Sequence, residues 1–241
     1  VIQVCLNGRR GAGDSAAVPM SPQALARSAS AAVGAGATEV HFRPRTPCGS
    51  GSLSPRVVGP AVETVRAAVG VPVGVPADAW AEPDPERRVD RIRSWTVLPD
   101  LVSVDWHEDG AEEVAAALLE RGVAVQAVIR SGTDAARRFA VSRSAPAVRR
   151  VLARVVVTGA ATAGDTARSL LDGLGAAHGV PVLPYGVDGG AWPVLRLAAR
   201  TGPDVRTGLG DVLRLPDGRP AESNAQLVAT AARLAHAGRR T

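Results

Sequence analysis

Apolar residues recur along this chain in two alternating rhythms. Short runs, rich in β-branched residues and nearly continuous in hydrophobicity, fall at residues 1–6, 39–43, 71–75, 101–105, 124–129, 154–157, 180–184 and 205–208. Such runs are what strands covered on both faces look like. Between them the apolar positions repeat with helical spacing. Ser21-Pro22 and Asp84-Pro85 each set an N-cap ahead of a first-turn proline. Thr162-x-x-Asp165 and Ser223-x-x-Gln226 have the spacing of capping boxes. Leu227, Val228, Ala231 and Leu234 make one stripe on a last helix predicted over 224–235.

Eight strands, each followed by a helix, within 241 residues is the count of a (β/α)8 TIM barrel. A doubly wound open sheet would normally carry a glycine-rich phosphate loop after its first strand. Here Asn7-Gly8-Arg9-Arg10-Gly11-Ala12-Gly13 lacks the dinucleotide spacing, and a long loop follows it. The expectation is an α/β protein with one barrel domain over residues 1–241. The working groups of such barrels stand at the carboxyl ends of the strands. That rule selects Asn7, His41, Arg43, Arg45, Pro76, Asp105, His107, Gln126, Thr158, Tyr185 and Arg206. Within this set, strand alternation projects His41, Arg43 and Arg45 to one side, an imidazole and two guanidiniums together.

Composition removes several alternatives. All 28 basic residues are arginine, so a Schiff-base or pyridoxal-phosphate enzyme, which needs a lysine amine, is excluded. The net charge of +5 is dispersed, and the densest patch (Arg87, Arg88, Arg91, Arg93) lies among Asp84, Glu86 and Asp90, as on a solvated helix face. With 3% aromatic residues there is no base-stacking platform, and no nucleic-acid partner is expected. No apolar run reaches the roughly 18–20 residues that span a bilayer. Residues 1–6 lack the basic flank of a secretion signal, and two cysteines form no disulfide framework. A cytoplasmic protein without membrane contact is expected. Cys5 has no adjacent base, which argues against a nucleophile.

Several motifs in one order resemble the β-keto acid cleavage enzymes, of which the 3-keto-5-aminohexanoate cleavage enzyme is the type. They are Asn7-Gly8, Pro19-x-Ser21-Pro22, Ala35-Gly36-Ala37 leading into His41-x-Arg43-x-Arg45, and Ser103-Val104-Asp105-Trp106-x-Glu108-Asp109-Gly110. They continue with Trp192-Pro193, Arg206-x-Gly208-Leu209-Gly210-Asp211, Leu215-Pro216-Asp217-Gly218 and Ser223-Asn224-Ala225-x-Leu227-Val228. The resemblance implies a zinc-dependent (β/α)8 barrel, typically oligomeric. It would cleave a β-keto acid with acetyl-CoA as co-substrate, yielding acetoacetate and a new acyl-CoA. It implies catalytic roles for Arg206 and Asp211, and a metal-ligand role for His41.

The departures from the family pattern fall on the chemistry. The second histidine of the His-x-His-x-Arg motif is Arg43, and the glutamate ligand of Arg-x-Gly-x-Glu-Asp is Gly210. Strand 3 ends in Pro76-Ala77 instead of a hydroxyl-bearing residue, Gln126 stands for a glutamate, and an acid is expected near Arg154. A catalytic zinc takes three protein ligands; of the implied set only His41 remains. Arg43 offers no lone pair and repels a dication.

Three readings stay open. Arg43 replaces the metal as electrophile, with Asn7, His41, Arg43, Arg45 and Asp105 holding a small carboxylated keto acid, Arg206 beside them and Asp211 as general base. Alternatively the barrel is non-catalytic and binds a small anion or an active homologous subunit. Thirdly, His41, Asp105 and Asp211 form a new metal site. Structural roles compete at each position. Arg43 and Arg45 could pair internally with Asp105 and Asp211, Arg206 and Asp211 could form a surface salt bridge, and Asn7 could satisfy its loop. His107 and Glu108 read as packing or rim residues, and His178 and His236 as surface residues. The enzyme is the preferred reading.

Overall fold

A computed structural model of the chain describes residues 1–157, 159–202 and 204–238. Eight strands alternate with eight helices: β1 (Ile2–Cys5), α1 (Pro22–Gly34), β2 (Glu39–His41), α2 (Pro55–Ala68), β3 (Val73–Pro76), α3 (Pro85–Arg93), β4 (Leu101–Asp105), α4 (Ala111–Glu120), β5 (Ala124–Arg130), α5 (Ala135–Ala140), β6 (Arg150–Val155), α6 (Ala163–Leu174), β7 (Val182–Gly186), α7 (Ala191–Thr201), β8 (Val205–Thr207) and α8 (Asn224–Gly238). All pairings are parallel, in the order β7-β6-β5-β4-β3-β2-β1-β8. The sheet is a nearly closed (β/α)8 barrel in one domain. Along the seam between β7 and β8 the Arg206 guanidinium lies 4.4 Å from the Tyr185 ring centroid, and Asp188 N donates to Asp211 O at 2.9 Å. No described helix is long and apolar enough to cross a membrane.

The strands form where the apolar runs stand, because both of their faces are covered. Val4, Val40, Val75, Val102, Val104, Ile129 and Val151 face the helical shell and are fully buried there. Ser21 caps α1 by accepting from Ala24 N, and Asp84 caps α3 by accepting from Glu86 N and Arg87 N. The other two capping expectations need correction. Thr162 makes no side-chain cap bond. Ser223 Oγ accepts from Gln226 N, but the Gln226 side chain returns to Glu222 N, one residue before the cap. The sixth strand begins at Arg150, four residues before its predicted start, because Arg150 and Leu152 point into the barrel together with Arg154. Thr158 lies outside the described residues.

The barrel interior departs from an all-apolar filling. At the amino-terminal end Gln3, Glu39, Gln126 and Arg150 form a buried polar layer: Gln3 Nε2 donates to Glu39 Oε2 at 3.1 Å, Arg150 pairs with Glu39, and Gln126 is wedged between Gln3 and Arg150. Gln126 therefore sits below the mouth, which corrects its place among the strand-end residues. A small apolar cluster (Val128, Leu152, Leu183, Tyr185) fills the β5–β7 side above this layer.

Asn224 joins the chain's end to its beginning. Its side chain accepts from Leu209 N at 2.8 Å and donates to Leu6 O at 2.9 Å and to Ser28 Oγ at 3.0 Å, with no exposure. Asn224→Ala leaves a buried amide and a buried carbonyl unpaired, each costing about 1–3 kcal/mol. Urea unfolding of the variant is expected to show a loss of about 2–4 kcal/mol.

Candidate functional site

At the carboxyl ends of the strands lies a cavity of about 270 Å³. His41, Arg43, Asp105, Arg206 and Asp211, all picked out from the sequence, converge on it. Asp78 and Arg154, which were not, also border it.

Arg206 and Asp211 form one unit. Arg206 Nε donates to Asp211 Oδ2 at 3.0 Å and Nη2 to Oδ1 at 3.3 Å, while Nη1 donates to Gln3 Oε1 at 2.8 Å in the polar layer below. Both side chains are about 6% exposed, so the pair is buried and is not the surface salt bridge considered from the sequence. The turn between them also decides the position of Gly210. A Cβ there would stand 2.5 Å from Cys5 Sγ and 2.6 Å from Gly8 N, closer than van der Waals contact permits. Burial, with the Asp211 charge nearby, pushes the Cys5 thiol up to about 11, which agrees with an inert thiol.

Arg43 is clamped by Asp78. Nη1 donates to Oδ1 at 2.7 Å and Nη2 to Oδ2 at 2.5 Å, a bidentate fork, and Arg9 from the loop after β1 adds a bond to Oδ2 at 3.2 Å. Burial alone would raise the Asp78 pKa, but the Arg43 bonds and charge, with Arg9, outweigh it and hold the carboxyl at about 2. Trp80 covers the outer side, its ring centroid 4.7 Å from the Arg43 guanidinium carbon. This pairing, with Asp78, replaces the expected one with Asp105 or Asp211.

His41 Nε2 lies 3.0 Å from Ser103 Oγ. Burial, together with Arg206 and Arg43, drives its pKa well below the ordinary value, so the imidazole is neutral. Asp105 is buried and its Oδ1 has no hydrogen-bond partner among the described residues; His107 Nδ1 lies 3.9 Å from it. Burial, with Asp78 close by, raises the Asp105 pKa. Glu108 accepts from Ala79 N at 2.7 Å and from Arg88 Nη1 at 3.0 Å, and burial pushes its pKa up to about 7. Arg88 is thus buried in an internal ion pair, unlike the solvated role read from its charge patch, and Glu108 is structural to the mouth of the barrel.

Two members of the expected set do not face the cavity. Asn7 is fully buried, donating to Pro19 O and Arg43 O and accepting from Arg43 N, so its amide is consumed by the loops. Arg45 donates to the carbonyls of Gly49, Gly8 and Arg10, tying the loop after β1 to the loop after β2.

Neither metal arrangement is favoured by these contacts. Where the resemblance implies a histidine ligand there is a guanidinium locked to a carboxylate, and where it implies a glutamate the backbone of Gly8 and the Cys5 sulfur fill the space. The residues present do not fit the implied zinc. Among the described residues His41, Asp105 and Asp211 do not gather around one point either. The acidic group that does gather is Asp78, Asp105 and Glu108, with ligand oxygens within 4.8 Å of one another. Arg43, Arg9 and Arg88 already neutralise two of its three members.

Comparison with known proteins agrees with this architecture. The family model for the beta-keto acid cleavage enzymes matches residues 1–241, the whole chain, and the protein belongs to that family. No curated protein matches the chain. Among solved structures it is similar to a type I 3-dehydroquinate dehydratase from Clostridium difficile bearing covalently modified comenic acid, at 13% identity and a TM-score of 0.62, covering 98% of this chain and 92% of that one. It is also similar to ObcA in a ternary complex with a C4-CoA adduct and oxalate, at 13% identity and a TM-score of 0.65, covering 90% of this chain. The match spans 63% of the ObcA chain. At such identities these likenesses concern the barrel fold.

Two outcomes follow for stability. The Asp78 carboxyl titrates in the folded protein at about 2, below its ordinary 3.8. Its contribution, about 2 kcal/mol, is present above pH 4 and is withdrawn as pH falls toward 2. Urea unfolding across that window is expected to show the loss, and Asp78→Asn to lack that component of it. Gly210→Ala, tested by thermal melting, is expected to destabilise by about 1–3 kcal/mol through the collision with Cys5 and Gly8. Gly210→Glu is expected to acquire no stoichiometric zinc.

Proposed function

We propose that the protein exchanges acyl groups on a β-keto acid, with acetyl-CoA as the second substrate, and does so without the family's zinc. The observation that carries this reading is the buried Arg206–Asp211 pair, which keeps the family's catalytic positions in contact at the cavity while the ligand positions beside them are lost. The CoA adduct held by ObcA adds support by analogy of fold alone.

The chemistry runs as follows. Asp211 takes a proton from the carbon between the ketone and the carboxylate, and the resulting enolate charge is met by the guanidinium-rich wall. That carbon attacks the thioester carbonyl of acetyl-CoA, and the carbon–sulfur bond breaks to release the CoA thiolate. The thiolate adds to the original ketone. The bond between that carbonyl and the former enolate carbon then breaks, leaving the new acyl-CoA and the enolate of acetoacetate, which recovers the proton from Asp211. Arg206 acts by orienting Asp211 and by balancing its charge. His41, neutral and bonded to Ser103, supplies a polar wall without adding charge. One feature favours the non-catalytic reading instead: both terminal nitrogens of Arg43 are taken by Asp78, so this residue is a weaker electrophile than its position in the sequence implies.

The test is a panel of β-keto acids with acetyl-CoA, with acyl-CoA products followed by mass spectrometry. Turnover that persists after exhaustive chelation is expected, with Asp211→Asn lowering it by about 100-fold or more. Turnover that is abolished by chelation and restored by zinc would overturn the metal-free mechanism. Absence of product across the panel would leave the anion-binding barrel.

A further inference from the structure

Five guanidiniums border the cavity, and four are committed. Arg43 and Arg9 bond Asp78; Arg10 bonds Asp188 at 2.5 Å and Asp211 O at 3.4 Å; Arg206 bonds Asp211 and Gln3. Arg154, at the end of β6, makes no side-chain hydrogen bond or ion pair among the described residues, and its Nε is buried without a partner. Its register partners are Arg130 on β5 and Tyr185 on β7, neither of which offers a carboxylate. Asp105 lies on the same cavity, feels the Arg154 charge, and is still not within ion-pair distance of it. Asp105 and Asp211 help hold Arg154 in its charged form from a distance, so it keeps its charge while its N–H donors stay free for an arriving anion. A planar fork of N–H donors meets a carboxylate best, through two parallel bonds.

Beside Arg154 the wall changes character. Val128 and Tyr185, from the apolar cluster inside the barrel, line the cavity there, and burial keeps the Tyr185 phenol neutral, its pKa up at about 12. The cavity therefore offers one unspent cation next to apolar surface, with an unpaired carboxylate, Asp105, elsewhere on its lining.

We infer that Arg154 is the anchor for the carboxylate of the substrate, holding it at the β6 side of the cavity, and that this residue selects small keto acids with a free carboxylate over their esters or amides. The inference rests on the β-keto acid reading and names which arginine receives the acid. It moves that role away from Arg43 and Arg45, whose donors are already used.

The test uses the parent protein and its Arg154→Gln and Arg154→Lys variants, with acetoacetate as the binding probe in calorimetry and the keto-acid panel for turnover. Arg154→Gln is expected to weaken acetoacetate binding about ten-fold or more and to raise KM by a similar factor with a smaller change in kcat, and Arg154→Lys to fall between it and the parent protein. The melting temperature of unliganded Arg154→Gln is expected to stay close to that of the parent, because no side-chain hydrogen bond or close ion pair is lost with the guanidinium. A melting temperature that falls together with binding would mark Arg154 as structural and overturn the inference. So would turnover by the parent protein with KM unmoved in Arg154→Gln, which leaves the proposed reaction standing. If the parent protein forms no product but binds acetoacetate through Arg154, the reaction fails and the anchor survives. If it neither turns over nor binds acetoacetate, both fall.

Discussion

A guanidinium taken out of water must meet a carboxylate, and the Arg43–Asp78 fork is where this barrel meets that demand first. Arg43 leaves β2 and Asp78 follows β3, so their two bonds tie adjacent strand ends together. The same carboxylate receives Arg9, which draws the loop after β1 over the mouth, while Arg10 from that loop reaches the β7–β8 side. Beyond Asp78, Glu108 and Arg88 extend the alternation of charges through the loop after β4 into α3. Removing one member of such a chain leaves its neighbour buried and unpaired, which costs more than the pair itself contributes. The rim of the cavity is therefore held by charge pairing where other barrels could use a metal.

This exchange has an electrostatic logic. A dication bound by two imidazoles and a carboxylate leaves one net positive charge in the site. Arg43 with Asp78 leaves none, so the cavity's positive potential has to come from elsewhere. Arg206 is neutralised by Asp211, and Arg154 is the guanidinium left over. Glycine at position 210, where the resemblance implies a glutamate, fits the same arithmetic, since a carboxylate there with no metal to bind would be a further unpaired charge. The packing then closes the route back, because Gly8 and Cys5 occupy the volume that a side chain at 210 would need.

Much of this was legible in the sequence because it follows from periodicity. Strand positions, the barrel and the convergence of His41, Arg43, Asp105 and Arg206 come from period-two alternation and strand-end placement, whereas Asp211 was legible only through the family resemblance. Asp78 lies two residues past Pro76 and three beyond the apolar run 71–75, where the chain has left the strand and alternation no longer dictates direction. Arg154 was hidden by a strand start set four residues late: with β6 beginning at Arg150, residues 150, 152 and 154 share the inner face. What periodicity cannot deliver is partnership. Asn7 and Arg45 stand at strand ends like the others, yet backbone carbonyls and amides of the loops consume them, and only folded distances separate an anchor from a strut.

The polar layer under the site explains why the Arg206–Asp211 pair can be rigid. Gln3 accepts from Arg206 Nη1 and donates to Glu39, which is held in turn by Arg150 and Arg149. A base is useful only if its oxygen is aimed before substrate arrives, and aiming a carboxylate through a flexible arginine requires that the arginine be held from behind. Gln3 performs that holding from the opposite end of the barrel. An apolar residue at position 3 would leave Arg206 Nη1 without its partner from below and take a donor away from Glu39. The buried polarity at the amino-terminal end, costly for the fold on its own, is thus the foundation on which the orientation of Asp211 stands.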